Sequence, residues 1–337
     1  MRALGIFTLV YVVLVTASLL FADQSLNLSA TGERLIEAII EGDSSKVKQL
    51  ATVNAVVNYK NHYGMTPLHF AASRGRVSIA KLLIERGADI NAVDKDGETP
   101  LRTAVDDKHK EVADLLIAKG AHMTIHIAAA LGRTNDLKAM ILRGDSIDAR
   151  DSHLLTPLHV ASENCQLEIV KILLQQKADV NVREKYDWTP LHEACDSGCP
   201  SVAKLLIKHG ADVNARTLDV RPLHSWYTPL HLAVSNCKTL ESDPSVIAGK
   251  TAIVKLLINQ GVNVNQIDSS GQTPLYEAAR RGCVDILQLL IQNGADVNVK
   301  DPFGETPLDG ANPDAREIMV RWEHKHRDTS RIIISSS

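Results

Sequence analysis

Aromatic residues are scarce in this 337-residue chain, at 4%. A core must therefore be assembled from Ala, Leu, Ile and Val rather than around large rings. Charge of one sign is lacking too. Lys and Arg number 37 against 40 Asp and Glu, a net charge of −3. No bulk field draws the chain to nucleic acid or to anionic lipid. There is no Gly-rich phosphate loop, no H-E-x-x-H and no G-x-S-x-G, which removes the ready routes to phosphoryl transfer, zinc proteolysis and serine hydrolysis. No catalytic residue, cofactor or metal is expected.

What is present is a repeat. Gly64-Met65-Thr66-Pro67-Leu68-His69-Phe70-Ala71-Ala72 is followed by Leu82-Leu83-Ile84 and Gly87-Ala88-Asp89-Ile90-Asn91. Thr66 to Thr99, Thr156 to Thr189 and Thr273 to Thr306 are each 33 residues, and a fixed period of that size means stacked units. Thr66 is placed as a helix N-cap, and Pro67 sits at the first helical position, where its missing N–H costs nothing. His69 falls where a side chain reaches back to the cap. Leu68 points into the stack, and Ala71 and Ala72 let helices approach closely. Gly75 suits a left-handed helix end. Leu82 to Ile84 belong to a second helix, which Gly87 ends, and Asp96-Gly97 is a hairpin-turn signal.

On these residues the chain resembles the ankyrin-repeat family, whose signature is the 33-residue period with Thr-Pro-Leu-His-x-Ala. The resemblance implies an all-α-dominated repeat solenoid of stacked helix-turn-helix units with β-hairpin loops. It covers residues 33–325 as nine units. The first lacks Thr-Pro, as a capping unit does. The fourth, at Met123-Thr124-Ile125-His126, begins 24 residues after Thr99 and lacks its hairpin, so a gap in the binding edge is expected there. The seventh, at Thr228, carries six extra residues in its hairpin and 12 between its helices, around Lys238 to Gly249. The ninth, at Thr306, has Asp309 for His. The family implies a non-catalytic scaffold that binds a partner protein through hairpin tips and the concave helix face, here as a monomer.

Met1-Arg2 and the uncharged run Ala3 to Phe21 read as a secretory signal. The run is also nearly long enough to span a bilayer. Residues 1–22 are thus a cleaved signal peptide, giving a periplasmic or extracellular protein, or an anchor over residues 3–22; either way this is the only membrane contact expected. Residues 23–32 read as a linker, with Asn27-Leu28-Ser29 matching a glycosylation sequon. Residues 326–337 read as a flexible tail in which Ile332 to Ile334 can add a strand.

His69, His159, His192 and His231 each hold the same helix-start place. Packed helices stand ~8–10 Å apart, too far for one zinc ion that needs all ligands within ~2.0–2.3 Å. The same spacing exceeds the ~7 Å Cα limit for a disulfide, so Cys165, Cys195, Cys199, Cys237 and Cys283 are expected as free thiols, Cys195 buried. The informative residues are the aromatics just before a Thr-Pro: Tyr63, Tyr186, Trp188, Trp226, Tyr227 and Phe303. A solvent-facing hairpin gains nothing from a tryptophan unless something covers it, and aromatics dominate binding hot spots. Arg74, Arg280 and Arg281 occupy exposed helix-one positions and join them as candidate partner-binding residues. A small ligand or glycan on the aromatic patch, and a membrane-tethered structural protein, are the alternatives.

Overall fold

The computed structural model describes residues 28–334, apart from 219–225, 236 and 238–243. The signal or anchor segment, the sequon's Asn27 and residues 335–337 lie outside the described residues. Among those described, no helix is long and apolar enough to cross a membrane. The chain divides into two compact units, residues 1–127 and 128–337.

In the first unit, α1 (28–41) is followed by α2 (Ser44–Leu50), the single turn α3 (Asn54–Val57), α4 (Pro67–Ser73), α5 (Val77–Glu85), α6 (Pro100–Asp106) and α7 (Lys110–Ala118). α8 (Ile125–Ala130) straddles the division at Ile127 and Ala128. The second unit continues with α9 (Thr134–Leu142), α10 (Pro157–Glu163), α11 (Leu167–Gln175), α12 (Pro190–Asp196), α13 (Pro200–Lys208), α14 (Pro229–Val234), α15 (Pro244–Asn259), α16 (Pro274–Arg281), α17 (Val284–Gln292) and α18 (Pro313–Ile334). α4 packs on α6 and α5 on α7; in the second unit α10, α12, α14 and α16 form one layer and α11, α13, α15 and α17 the other.

Helices of seven or nine residues are too short to persist alone in water; packing holds them. The leucine of each Thr-Pro-Leu but the last, half-buried Leu308, shows why the period matters. Leu68, Leu101, Leu158, Leu191, Leu230 and Leu275 are all at most 1% exposed, each stabilising by about 1.5–3 kcal/mol on burial. The helix starts are as the sequence dictates. In α4, α10, α12 and α14 the Thr side chain accepts from the third helical N–H and the His side chain accepts from the Thr N–H. In the fourth repeat Thr124, not Met123, caps the helix, accepting from Ile127 N, and residues 121–124 run from α7 to α8 with no hairpin between.

The connecting fingers contain no strand among the described residues; the expected β-hairpins are tight turns closed by one backbone pair, such as Asp94 N to Glu98 O at 3.0 Å and Asp268 N to Gln272 O at 2.9 Å. A single acceptor replaces the ladder. Asp94 Oδ1 takes both Asp96 N and Glu98 N, Asp268 Oδ1 takes Ser270 N and Gln272 N, and Glu184 Oε1 takes Tyr186 N and Trp188 N. Seams between successive repeats are closed by asparagine, whose amide donates and accepts at once. Asn181 donates to Gly210 O and accepts from Asp212 N, and Asn265 does the same to Gly294 and Asp296.

Both ends differ from expectation. Residues 28–32, read as linker, already belong to α1, because Tyr59 fastens them: its hydroxyl donates to Glu33 at 2.7 Å and meets Ser29 Oγ at 3.3 Å. At the other end α18 runs helical to Ile334, so Ile332 to Ile334 add no strand. The first helix of the last repeat is reduced to a turn at 307–310, although Asp309 still accepts from Thr306 N at 2.8 Å, as the histidines do.

The expectation of free thiols is overturned. Cys165 is bonded to Cys199 and Cys237 to Cys283, with Cα separations of 5.4 and 6.0 Å. The spacing between helix axes is the wrong distance to consider. The end of one first helix leans onto the start of the second helix in the next repeat. Elsewhere that contact is a hydrogen bond: Arg76 donates to Ile40 O, Gln166 donates to Ala130 O, and His109 Nε2 meets Ser73 O at 2.9 Å. Cys199 and Cys283 stand in the place of Arg76, His109 and Gln166, and bridge across it. Cys165 takes a left-handed φ of 56°, a conformation that costs a side chain about 1–2 kcal/mol, where Gly75 and Gly132 stand in other repeats. Cys195 alone is free, and burial pushes its thiol pKa up.

Candidate functional site

The four aromatics of the middle fingers are brought together by main-chain bonds between neighbouring fingers. Leu218 N donates to Tyr186 O at 2.7 Å, and Thr217 and Tyr227 close the base of the enlarged finger, Thr217 N to Tyr227 O at 3.0 Å and Tyr227 N to Thr217 Oγ1 at 3.0 Å. Tyr186, Trp188 and Tyr227 then line a groove of about 670 Å³ within the second unit, together with Asp196, Arg280 and Arg281. That size falls in the range of ligand-binding clefts, ~300–1,000 Å³.

Trp226 lies beside this groove, in a shallower cleft of about 400 Å³ shared with Arg183, Arg216 and Leu218. Its ring is covered by the Arg216 guanidinium at 4.1 Å. Phe303 stands apart, 89% exposed on its finger. Tyr63, 61% exposed, and Arg74 belong to the first unit. Of the nine candidate residues, the structure thus places five around one groove. Leu218, 59% exposed, lines both clefts and was not foreseen; the length of its finger was the only hint.

The electrostatics of the floor are uneven. Glu277 accepts from Arg280 at 2.7–3.0 Å and also from Arg281, so one carboxylate serves two guanidinium groups. Asp196, on α12, meets Ser235 Oγ at 3.4 Å and the ammonium of Lys250 at 3.6 Å. Lys250 is 1% exposed. A cation so buried persists only when paired and hydrogen-bonded, and its Nζ donates to Ser235 O at 2.6 Å and Leu232 O at 3.2 Å, finishing the C-terminus of α14. Desolvation still lowers its pKa. Nearby on α12, burial first and then the charges of Glu163, Glu184 and Asp196 push the Glu193 carboxyl well up.

The buried cap histidines His159, His192 and His231 are held neutral. Nδ1 of His159 and His192 accepts from the Thr N–H at 3.2 and 3.1 Å, which fixes the proton on Nε2, where it is donated to Trp188 O and Ala215 O at 3.0 and 3.1 Å. His231 repeats the first contact; among the described residues its buried Nε2 meets no hydrogen-bond partner within normal geometry. Desolvation holds His159, His192 and His231 down to about 4. Among the described residues, no three His, Cys, Asp or Glu side chains are grouped to hold a metal ion.

The family model for ankyrin repeats matches three times, over residues 35–126, 125–217 and 219–301. Curated relatives share short stretches. The protein described as "Probable E3 ubiquitin-protein ligase XBOS33", from Oryza sativa subsp. japonica, is 43% identical over 67 residues, 19% of this chain and 13% of its own length. The E3 ubiquitin-protein ligase XBAT33 of Arabidopsis thaliana is also 43% identical, with the same coverage. Protein phosphatase 1 regulatory subunit 27 of Homo sapiens is 45% identical over 55 residues, 16% of this chain and 36% of its own length. The chain thus spans well under half the length of these relatives.

Proposed function

The chain belongs to the ankyrin-repeat family, and from that footing we propose that it is a non-catalytic scaffold whose second unit holds a partner protein in the groove between Trp188 and Arg280. Ankyrin repeats typically mediate protein–protein interaction. The observation that carries the assignment to this groove is the convergence of Tyr186, Trp188 and Tyr227, from two successive fingers, over a floor of helix ends. The packed repeats and hydrogen-bonded fingers are preorganised, so little conformational entropy is lost on association. A glycan fits less well, because one candidate platform, the Trp226 ring, is already covered by Arg216. We also assign the chain to an exported, oxidising compartment; the two disulfides support this, as does the apolar segment Ala3 to Phe21.

The test is a Trp188→Ala, Tyr227→Ala double substitution, assayed against a partner captured from the native host on the immobilised protein. Affinity should fall by about 30-fold or more, the effect of losing a hot spot of ~2 kcal/mol, with the melting temperature unchanged within a few degrees. Unaltered affinity in the folded double variant removes the groove from the binding site.

A further inference from the structure

The two disulfides are built alike but are not equally open. In each, the second cysteine is the N-cap of a second helix, Cys199 of α13 and Cys283 of α17. The first cysteine of each follows the end of a first helix, Cys165 after α10 and Cys237 after α14. Cys237 and Cys283 are 1% and 7% exposed, so that bridge is shut from solvent at both ends. Cys199 is buried too, at 3%, but Cys165 is exposed. Thiol–disulfide exchange needs a thiolate to reach one sulfur in line with the S–S bond while the other sulfur departs, so access and leaving group set its rate. At Cys165–Cys199 the two requirements agree. Attack at Cys199 would have to come through the packed seam between repeats, whereas attack at Cys165 comes from solvent. The departing sulfur is then Cys199, at the N-terminus of the nine-residue α13, where its side chain makes no capping bond in the bridged state. The free N–H groups and dipole of a helix start stabilise a thiolate, and a stabilised thiolate leaves faster. Cys283 has the same leaving position on α17, but no sulfur of its bridge is open to attack. The free thiol of Cys195 is buried and does not compete as a nucleophile.

We propose that Cys165 is a modification site, at which a low-molecular-weight thiol exchanges into the Cys165–Cys199 bridge while Cys237–Cys283 stays closed. The thiolate of the small molecule attacks Cys165 Sγ. A mixed disulfide forms there, the bond to Cys199 breaks, and its electron pair leaves on Cys199 Sγ as a thiolate. One disulfide is lost and one is made, so the step needs no other oxidant or reductant. It is reversible: the Cys199 thiolate attacks Cys165 Sγ in the mixed disulfide, restores the bridge and expels the small thiolate. The exchange unlatches the seam between the end of α10 and the start of α13 and leaves the later seam fastened. The proposal rests on the pairing of the cysteines and is independent of what the groove binds.

The probe is reduced glutathione, added in excess to the folded full chain at about pH 8, where its thiolate is appreciable. Samples are quenched with acid early in the reaction, the freed thiols are alkylated, and peptide mass spectrometry locates both products. The glutathione adduct should appear on Cys165 and the alkylated thiol on Cys199, together and at least about tenfold faster than any product from Cys237 or Cys283. In denaturant the two bridges should open at similar rates, since the difference comes from burial in the fold. No variant is needed, so a failure to fold cannot obscure the result. An adduct on Cys199 instead of Cys165, equal opening of both bridges in the folded chain, or no adduct there at all overturns the proposal. A rate difference that persists undiminished in denaturant also overturns it, because burial would then not be the cause. If the protein shows five free thiols before glutathione is added, the bridge itself is absent and the proposal falls with the pairing.

Discussion

Lowering the pH from 7.5 to 4.5 should cost the second unit roughly 2–3 kcal/mol for each of His159, His192 and His231. Their folded pKa is held at about 4 by desolvation, against ~6.5 for an unfolded histidine. Above about 6.5 neither state is protonated and stability is full. Between about 6.5 and about 4 the unfolded chain binds protons that the folded chain refuses, so stability falls as pH falls; below about 4 the loss levels off. The refusal has a local cause. A proton on Nδ1 would face the N–H of the capping threonine, and the ring, buried in each case, has no water to turn to. Two carboxyls work the other way. Glu193 and Asp268 have raised pKa values, chiefly from burial, and gain protons in the fold first, which offsets part of the loss. Denaturant unfolding at pH 7.5, 6.0 and 4.5 measures the balance. A flat profile, or greater stability at pH 4.5, contradicts it.

Reducing the two disulfides should lower stability by ~2–4 kcal/mol each, in keeping with the loops they close, 34 and 46 residues apart in sequence. Both lie in the second unit, so a reductant should lower the melting transition of that unit and leave the first unit's where it was. Thiol titration of the unfolded, unreduced protein should find one free cysteine, Cys195, of the five in the chain. Five free thiols, or a melting curve indifferent to reductant, contradicts the pairing. Cys199→Ser and Cys283→Ser separate the two contributions.

The contrast between these two predictions marks what the sequence discloses. The role of the histidines was legible, because Thr66, Pro67 and His69 interact within one helical turn, where spacing alone fixes geometry. The finger aromatics were legible in part for the same reason: Trp188 and Tyr227 each stand directly before a Thr-Pro in successive repeats, and Tyr186 shares the finger of Trp188. The disulfides were not, because they depend on how far one helix end leans across a seam, a distance that helix-axis spacing does not give. A signal was present nonetheless, in the polar residues Arg76, His109 and Gln166 at the place later filled by Cys199 and Cys283. Lys250 belongs to the same series, but the 12 inserted residues hid its register. The helical start at residues 28–32 was missed because it depends on Tyr59, some thirty positions later, and α18 because nothing short of the structure shows that the chain past 326 continues a helix.

The central claim, that the Trp188 groove is where a protein partner sits, is tested most directly by photocrosslinking in the native host. A benzoylphenylalanine replaces Leu218 in the groove or, in a parallel chain, Leu142, which is 88% exposed on α9 away from it. The account predicts a discrete protein adduct from position 218 on illumination, lost when Trp188→Ala and Tyr227→Ala are added, and none from position 142. Adducts of equal yield from both positions, or an adduct at position 218 that survives the double substitution, would contradict it.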